Sequence, residues 1–218
     1  MMLRSLPLQL IPVGLALVGF GLSATEAIAQ TTYTFNANYD LSNGGSFLSP
    51  SGDLAQIDIV GNSTDASYDL TKLNGLTYLR TDLTTGKFTA NSDPKTFGLQ
   101  DFPLGFFALE GNGEDKLFGS ETANGVTDFN TLKVTNFGTI NITGGEGRFK
   151  GATGILSFTE LGQQSTDPNI PYRGTLALTG SFKVVPVPEP LFNTTLLTIS
   201  VIGSGVLLRR RHCKDTSS

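Results

Sequence analysis

The sequence predicts an all-β domain: an antiparallel β-barrel of about eight strands, or a closed sandwich. It is flanked by an N-terminal signal helix and a C-terminal transmembrane helix. Three observations lead there. Apolar residues recur with period two in several short stretches, as half-buried antiparallel strands require. Asn-Gly and Gly-Gly pairs punctuate the chain, and these supply the positive φ of tight hairpins. Strong helical periodicity is absent between the two ends.

Residues 1–29 read as a signal peptide. Arg4 gives the start a positive charge, Leu8 to Leu22 is almost wholly apolar, and Ala27-Ile28-Ala29 places small residues where a signal peptidase inspects them. The expected cut falls between Ala29 and Gln30, with signal peptidase as a partner. The apolar stretch is short for a span of roughly 20 residues, and Pro12 and Gly14 weaken it as a helix.

Residues 30–185 form one domain's worth of chain, on a prior of about 100 to 200 residues per domain. The single Cys and single His, Cys213 and His212, lie beyond it, and the chain has no Trp. The domain therefore has no disulfide, although an exported location would permit one. It lacks the imidazole of a Ser-His-Asp triad, a thiol nucleophile and the usual zinc ligands. No cofactor and no metal are expected. Acidic residues outnumber basic ones and no basic stripe occurs, which argues against nucleic acid.

Within this domain Tyr33, Phe35, Ala37 and Tyr39 share one face of a first strand. Ala55, Ile57 and Ile59 do so in a second, and Val60 to Lys72 carries weak support for a short helix. Pro103 to Gly111 has too many consecutive apolar residues for one wet face. It reads as a strand buried on both sides or crossing a barrel seam. Phe137, Ile140 and Ile142 mark a less regular strand, and Leu176, Leu178, Gly180, Phe182 and Val184 the most regular one. Turns are expected at Asn43-Gly44-Gly45, Ser51-Gly52, Asn74-Gly75, Thr85-Gly86, Asn112-Gly113, Asn124-Gly125 and Gly144-Gly145. Asp53, Asp58, Asp65 and Asp69 lack the glycine and terminal Glu of an EF-hand loop.

Thr143 to Thr159 reads TGGEGRFKGATGILSFT, with closely spaced glycines around Arg148 and Phe149. No Gly-Lys-Ser/Thr follows, so it is not a phosphate loop. The stretch resembles the glycine-Arg-Phe-x-Gly-Ala segment of the allene oxide cyclase-like and dirigent-like barrels. Asp115-Lys116-Leu117-Phe118-Gly119 resembles that group more loosely. The resemblance implies an eight-stranded antiparallel barrel in which Phe149 points inward and Arg148 braces a neighbouring strand or sits at the barrel mouth. It carries no catalytic residues over.

Residues 186–218 form a sorting signal. Pro186, Pro188 and Pro190 make a stiff linker, and Leu191 to Leu208 is a marginal span rich in Thr and Ser. Arg209, Arg210 and Arg211 follow it, as cytoplasmic flanks do. Pro188-Glu189-Pro190, then the apolar run, then the arginines resemble the PEP-CTERM signal of bacterial exported proteins. That resemblance implies an exosortase-like membrane protease as a partner, cleavage near Glu189, and release to the surface or matrix, often alongside exopolysaccharide. The expected protein is exported and held in the membrane by one C-terminal pass with its tail in the cytoplasm. It is then delivered to the envelope or extracellular matrix as a non-enzymatic component. The competing expectation is a small-molecule-binding or isomerase-like barrel sent by the same route. A hollow interior favours that alternative, and an interior filled by Phe and Leu favours the first.

Overall fold

A computed structural model describes residues 30–166 and 172–185. These carry nine strands: β1 (Thr31–Phe47), β2 (Leu54–Asn62), β3 (Lys72–Thr81), β4 (Lys87–Asn91), β5 (Phe106–Glu110), β6 (Lys116–Asp128), β7 (Lys133–Glu146), β8 (Ala152–Gln163) and β9 (Tyr172–Val184). Every pairing is antiparallel, in the order β2-β1-β9-β8-β7-β6-β4-β3-β5. Two further ladders, β2–β3 and β5–β6, join the ends of that order, so the pairings form a ring.

The nine strands fill eight positions, because β4 and β5 share one. Along β3, residues 72–76 pair with β5 and residues 78–81 with β4. Along β6, residues 116–119 pair with β5 and residues 122–126 with β4. Thr77 and Glu121 lie at the seam between the two short strands. The chain leaves the ring at Ser92 and returns at Gly105. Phe107, Ala108 and Leu109 are consecutively buried beside this seam, but Leu104 and Phe106 are exposed and β5 begins only at Phe106, so the expected two-sided burial of Pro103 to Gly111 holds for its middle alone.

The excursion from Ser92 to Gly105 packs on the outside of the ring. Phe97 covers Tyr78 and Leu54 there, with Leu48 and Leu99 at the margin. The Tyr78 hydroxyl donates to Pro103 O at 2.6 Å. Tyr78 is thus buried on the face of β3 opposite to Leu73, which belongs to the inner core.

Period-two alternation fills the interior. Phe35, Ala37, Tyr39 and Leu41 from β1, Leu156 and Phe158 from β8, and Leu176, Leu178 and Phe182 from β9 are buried in one cluster. One end of the ring is plugged by aromatic rings. Tyr33 stacks on Phe182 at 5.2 Å, and Phe149 meets Phe182 edge-on at 5.3 Å and Tyr33 at 5.6 Å. Offset and edge-to-face contacts of this kind suit the ring quadrupoles.

Four expected turns are corrected. Asn43-Gly44-Gly45, Asn74-Gly75, Asn124-Gly125 and Gly144-Gly145 lie within β1, β3, β6 and β7. The reason is close approach rather than turning: a Cβ on Gly125 would lie 2.2 Å from the Phe88 ring, and one on Gly145 2.5 Å from Phe149 O. Ser51-Gly52, Thr85-Gly86 and Asn112-Gly113 do sit between strands, with glycine φ of 76°, 70° and 92°. Between Val60 and Lys72 there is only a short 3-10 turn, Ser67–Asp69, after the end of β2. Among the described residues no helix is long and apolar enough to cross a membrane. The expected signal helix (1–29) and the span at 191–208 lie outside those residues.

Removing the plug at its centre should be costly. Phe149 is fully buried, so Phe149→Ala should destabilise the domain by about 3–5 kcal/mol through lost transfer energy and the cavity left behind. Urea denaturation measures this. A loss below about 1 kcal/mol would mean the site collapses freely and the plug is dispensable.

Candidate functional site

Chemistry-bearing side chains gather in two places: a polar cluster inside the ring, and an arginine-centred brace at the plugged end.

The polar cluster is made by inward positions of adjoining strands. Glu160 follows Leu156 and Phe158 on the inner face of β8, and Asn136 pairs with it across the β7–β8 ladder. Tyr172 comes from the start of β9. The Tyr172 hydroxyl donates to Glu160 Oε1 at 2.7 Å, and Asn136 Nδ2 donates to Glu160 Oε2 at 2.9 Å. Glu121 follows Leu117 and Gly119 on the inner face of β6. It is 5% exposed, and its Oε2 has no hydrogen-bond partner. Thr77 Oγ1 and Asn136 Oδ1 are likewise buried and unpartnered. Each orphaned buried group costs about 1–3 kcal/mol.

Electrostatics follow from this geometry. Burial pushes the Glu121 carboxyl up from its ordinary 4.5 to about 8, Glu160 adds repulsion, and the nearby Thr77 hydroxyl opposes the rise. Burial also raises Glu160, against the two donors that hold its charged form. Glu160 has donors to both oxygens, whereas Glu121 has only the nearby Thr77 hydroxyl and its Oε2 has no partner. Of the pair, Glu121 is the one its neighbour's charge pushes up and Glu160 the one whose charged form two donors hold, so the proton favours Glu121. Burial, with Glu160 beside it, pushes the Tyr172 phenol well up, so it remains a donor. Two carboxyls with separated protonation are the arrangement acid–base chemistry uses. Here they are walled in by the core.

The brace is built from the glycine motif. Gly147–Phe149 forms a 3-10 turn joining β7 to β8, with Gly147 at φ 59°. Phe149 enters the plug, and Arg148 lies outside it. Arg148 Nε pairs with Asp115 Oδ2 at 2.8 Å, and its backbone N–H donates to Asp115 Oδ1 at 2.9 Å. Arg148 Nη2 donates to Tyr68 O at 2.7 Å, and the guanidinium lies 5.1 Å from the Phe149 ring centre. Tyr68 and Asp69 hold positive φ, a conformation that costs a non-glycine residue about 1–3 kcal/mol. Arg148 thus ties two loops and a strained turn together. These contacts hold Arg148 at the plugged end of the ring, away from Glu160.

Other sequence candidates scatter. Asp53 accepts from Ser49 and Ser51, and Asp65 from Asn38 and Ser63. Among the described residues no group of three or more His, Cys, Asp or Glu is placed to hold a metal ion. A groove of about 590 Å³ lies on the outer face, lined by Lys87, Thr89, Val126 and Phe137 among others. It is open and apolar, and it does not include the buried carboxyls. Gln30 is exposed just before β1. Ala27, Ala29, Pro188, Glu189, Pro190, Arg209, Arg210 and Arg211 lie outside the described residues.

The sequence reading missed Glu121 and Glu160. The signal was present: each falls in phase with buried apolar neighbours, in LFGSETA and LSFTELG. Compared with protein-family models, with curated proteins and with solved structures, the chain finds no match in any of the three.

Two measurements follow. A Cβ at position 147 would lie 2.3 Å from Asp115 Oδ1. Gly147→Val should therefore cost about 1–3 kcal/mol, beyond which the Arg148–Asp115 contacts shift. A variant as stable as the parent in urea would show that this turn relaxes without strain. The second concerns pH. The folded state keeps a proton on Glu121 that the unfolded chain gives up above its ordinary 4.5. Stability from this group is complete below that value and falls as pH rises towards about 8, by about 1.4 kcal/mol per pH unit for one proton. Glu121→Gln should flatten that slope and raise Tm at mildly alkaline pH. An unchanged slope by calorimetry would place the titration elsewhere.

Proposed function

We propose that the chain is a non-enzymatic protein of a bacterial envelope or extracellular matrix. Residues 1–29 export it and residues 186–218 sort it as a PEP-CTERM, exosortase-type substrate. The ectodomain is a β-barrel whose interior is side chains rather than a ligand chamber. Signal peptidase and an exosortase-like membrane protease are its processing partners. Exopolysaccharide is a neighbour at the destination.

One observation carries the choice of a structural over a ligand-binding domain. The inner positions are occupied by large buried side chains, among them Tyr39, Phe149, Phe182, Leu117 and Leu156. The addresses rest on the residue order at the two ends: Arg4, apolar run and Ala27-Ile28-Ala29 at one, and Pro188-Glu189-Pro190, apolar run and Arg209 to Arg211 at the other. The start of β1 at Thr31 agrees with a cut after Ala29, since that cut leaves the first strand whole. The alternative, a small-molecule barrel, draws on the unpartnered buried polar atoms of Thr77, Glu121 and Asn136.

The test is processing in a host that carries the matching protease. N-terminal sequencing of the mature protein should begin at Gln30. Glu189→Ala should leave insertion intact and block the second cut, so an uncut form collects in the membrane fraction. Changing Arg209, Arg210 and Arg211 together to Gln should weaken retention before cutting, because basic flanks fix topology. A Glu189 variant trimmed as fast as the parent would reduce Pro188-Glu189-Pro190 to a stiff linker.

A further inference from the structure

The seam between β4 and β5 is a weak line in the ring. On β3 and on β6 the ladder passes from one short strand to the other, and Thr77 and Glu121 face the gap. The excursion that leaves through this gap is pinned to Glu121 itself. Glu121 N donates to Ser92 Oγ at 2.8 Å, and Ser92 N donates to Glu121 O at 3.0 Å. Gly105 N donates to Ser92 O at 2.7 Å. A displaced Glu121 therefore strains the bonds that hold the Ser92 to Gly105 segment.

The polar groups behind the seam are rich in acceptors. Glu160 uses both oxygens on Tyr172 and Asn136. Glu121 Oε2, Asn136 Oδ1 and Thr77 Oγ1 remain, all buried without partners. Asn136 Oδ1 only accepts. The Thr77 hydroxyl is one donor near Glu121, yet an ionised Glu121 leaves more acceptors than donors in the cluster, whereas a neutral one adds a donor. A proton on Glu121 is thus the change that lets the cluster be satisfied without opening.

The groups facing Glu121 agree. Glu160 from β8 is the charged neighbour that acts on it, and Tyr172 from β9 acts through Glu160. Thr77 from β3 and Asn136 from β7 are uncharged. Tyr39 from β1 is committed to Leu70 O. Ile59 from β2, Ala90 from β4, and Phe107 and Leu109 from β5 are apolar core residues. Among the described residues no lysine or arginine acts on either carboxyl. A charge on Glu121 would therefore be buried beside a like charge, with no counter-ion.

We propose that Glu121 is a proton-held latch on the β4–β5 seam: its neutral carboxyl keeps the seam shut, and its ionisation parts β4 from β5 and lets water reach the ring interior. The ligand of this device is a proton. The moving part is the segment from Lys87 to Glu110, while β7, β8 and β9 keep their pairings.

Hydrogen exchange of the full-length protein at pH 6 and pH 9, corrected for intrinsic amide chemistry, tests this. In the parent, amides of 87–92 and 105–110 should lose protection on the order of tenfold or more between the two conditions, while those of β8 and β9 hold theirs. Glu121→Gln should keep the seam protected at both. Glu160→Gln removes the like charge and should move the loss to higher pH. Equal loss in every strand, or the parent's behaviour in the Glu121 variant, would overturn the latch. Should that variant not fold, infrared difference spectra of the parent decide. The carbonyl band of a protonated carboxyl must vanish over the same pH interval as the seam loses protection. A loss without that band change also overturns the proposal.

Discussion

The β2–β3 ladder is the contact on which the rest of this domain depends. Nine residues of each strand pair there, from Leu54↔Arg80 to Asn62↔Lys72. With it in place, the hydrogen bonds run continuously around the ring. Without it, β2 and β3 would each present an open edge to solvent and to other chains. The described residues contain no Cys to substitute for that closure. A hairpin of two strands is marginal alone, so the ladder gains its strength from the core that closure seals. Leu73 on β3 and Ile59 on β2 belong to the same buried cluster as Phe182 and Leu178 on the far side.

Closure also explains where polar groups are tolerated. A sealed interior penalises every unpaired polar atom, and it strengthens each pair that forms. Glu160 is held by two donors and is secure. Glu121 has the Thr77 hydroxyl near it and one oxygen without a partner, and it is the weaker point. It sits where the wall is built from two short strands instead of one long one. Along β8 an interior carboxyl meets an unbroken ladder with β7 and β9. Along β6 it meets a gap.

Much of the wall was legible in the sequence because burial follows the pleat. TTYTFNANYD and GTLALTGSFKV alternate, and their apolar residues are the inner face of β1 and β9. Glycine misled the reading. Asn124-Gly125 has hairpin chemistry, yet Gly125 lies inside β6 because the Phe88 ring crosses it. Composition cannot distinguish a glycine that turns the chain from one that yields space to a ring on the next strand. The division of one ring position between β4 and β5 was also hidden, since it depends on pairing partners rather than on local pattern. The acidic pair escaped for a different reason. Each Glu is a single acid in phase with its strand's apolar residues, and only closure brings β6 and β8 to the same interior.

Both ends of the domain leave from the plugged end. Thr31 pairs with Val184, so the chain enters and exits side by side. Beneath them lie Tyr33, Phe149 and Phe182, with Arg148 clamping the adjacent loops. If the C-terminal run holds the domain at a membrane as proposed, the tether joins the aromatic, cross-braced end of the ring. Tension on Val185 would pull on the β1–β9 and β8–β9 ladders together, since Val184 pairs with both Thr31 and Ala152. The β4–β5 seam and Glu121 belong to other strands. The architecture thus separates two demands on one small domain. The end from which both termini leave is aromatic and cross-braced, and the unsatisfied acid lies on a different wall.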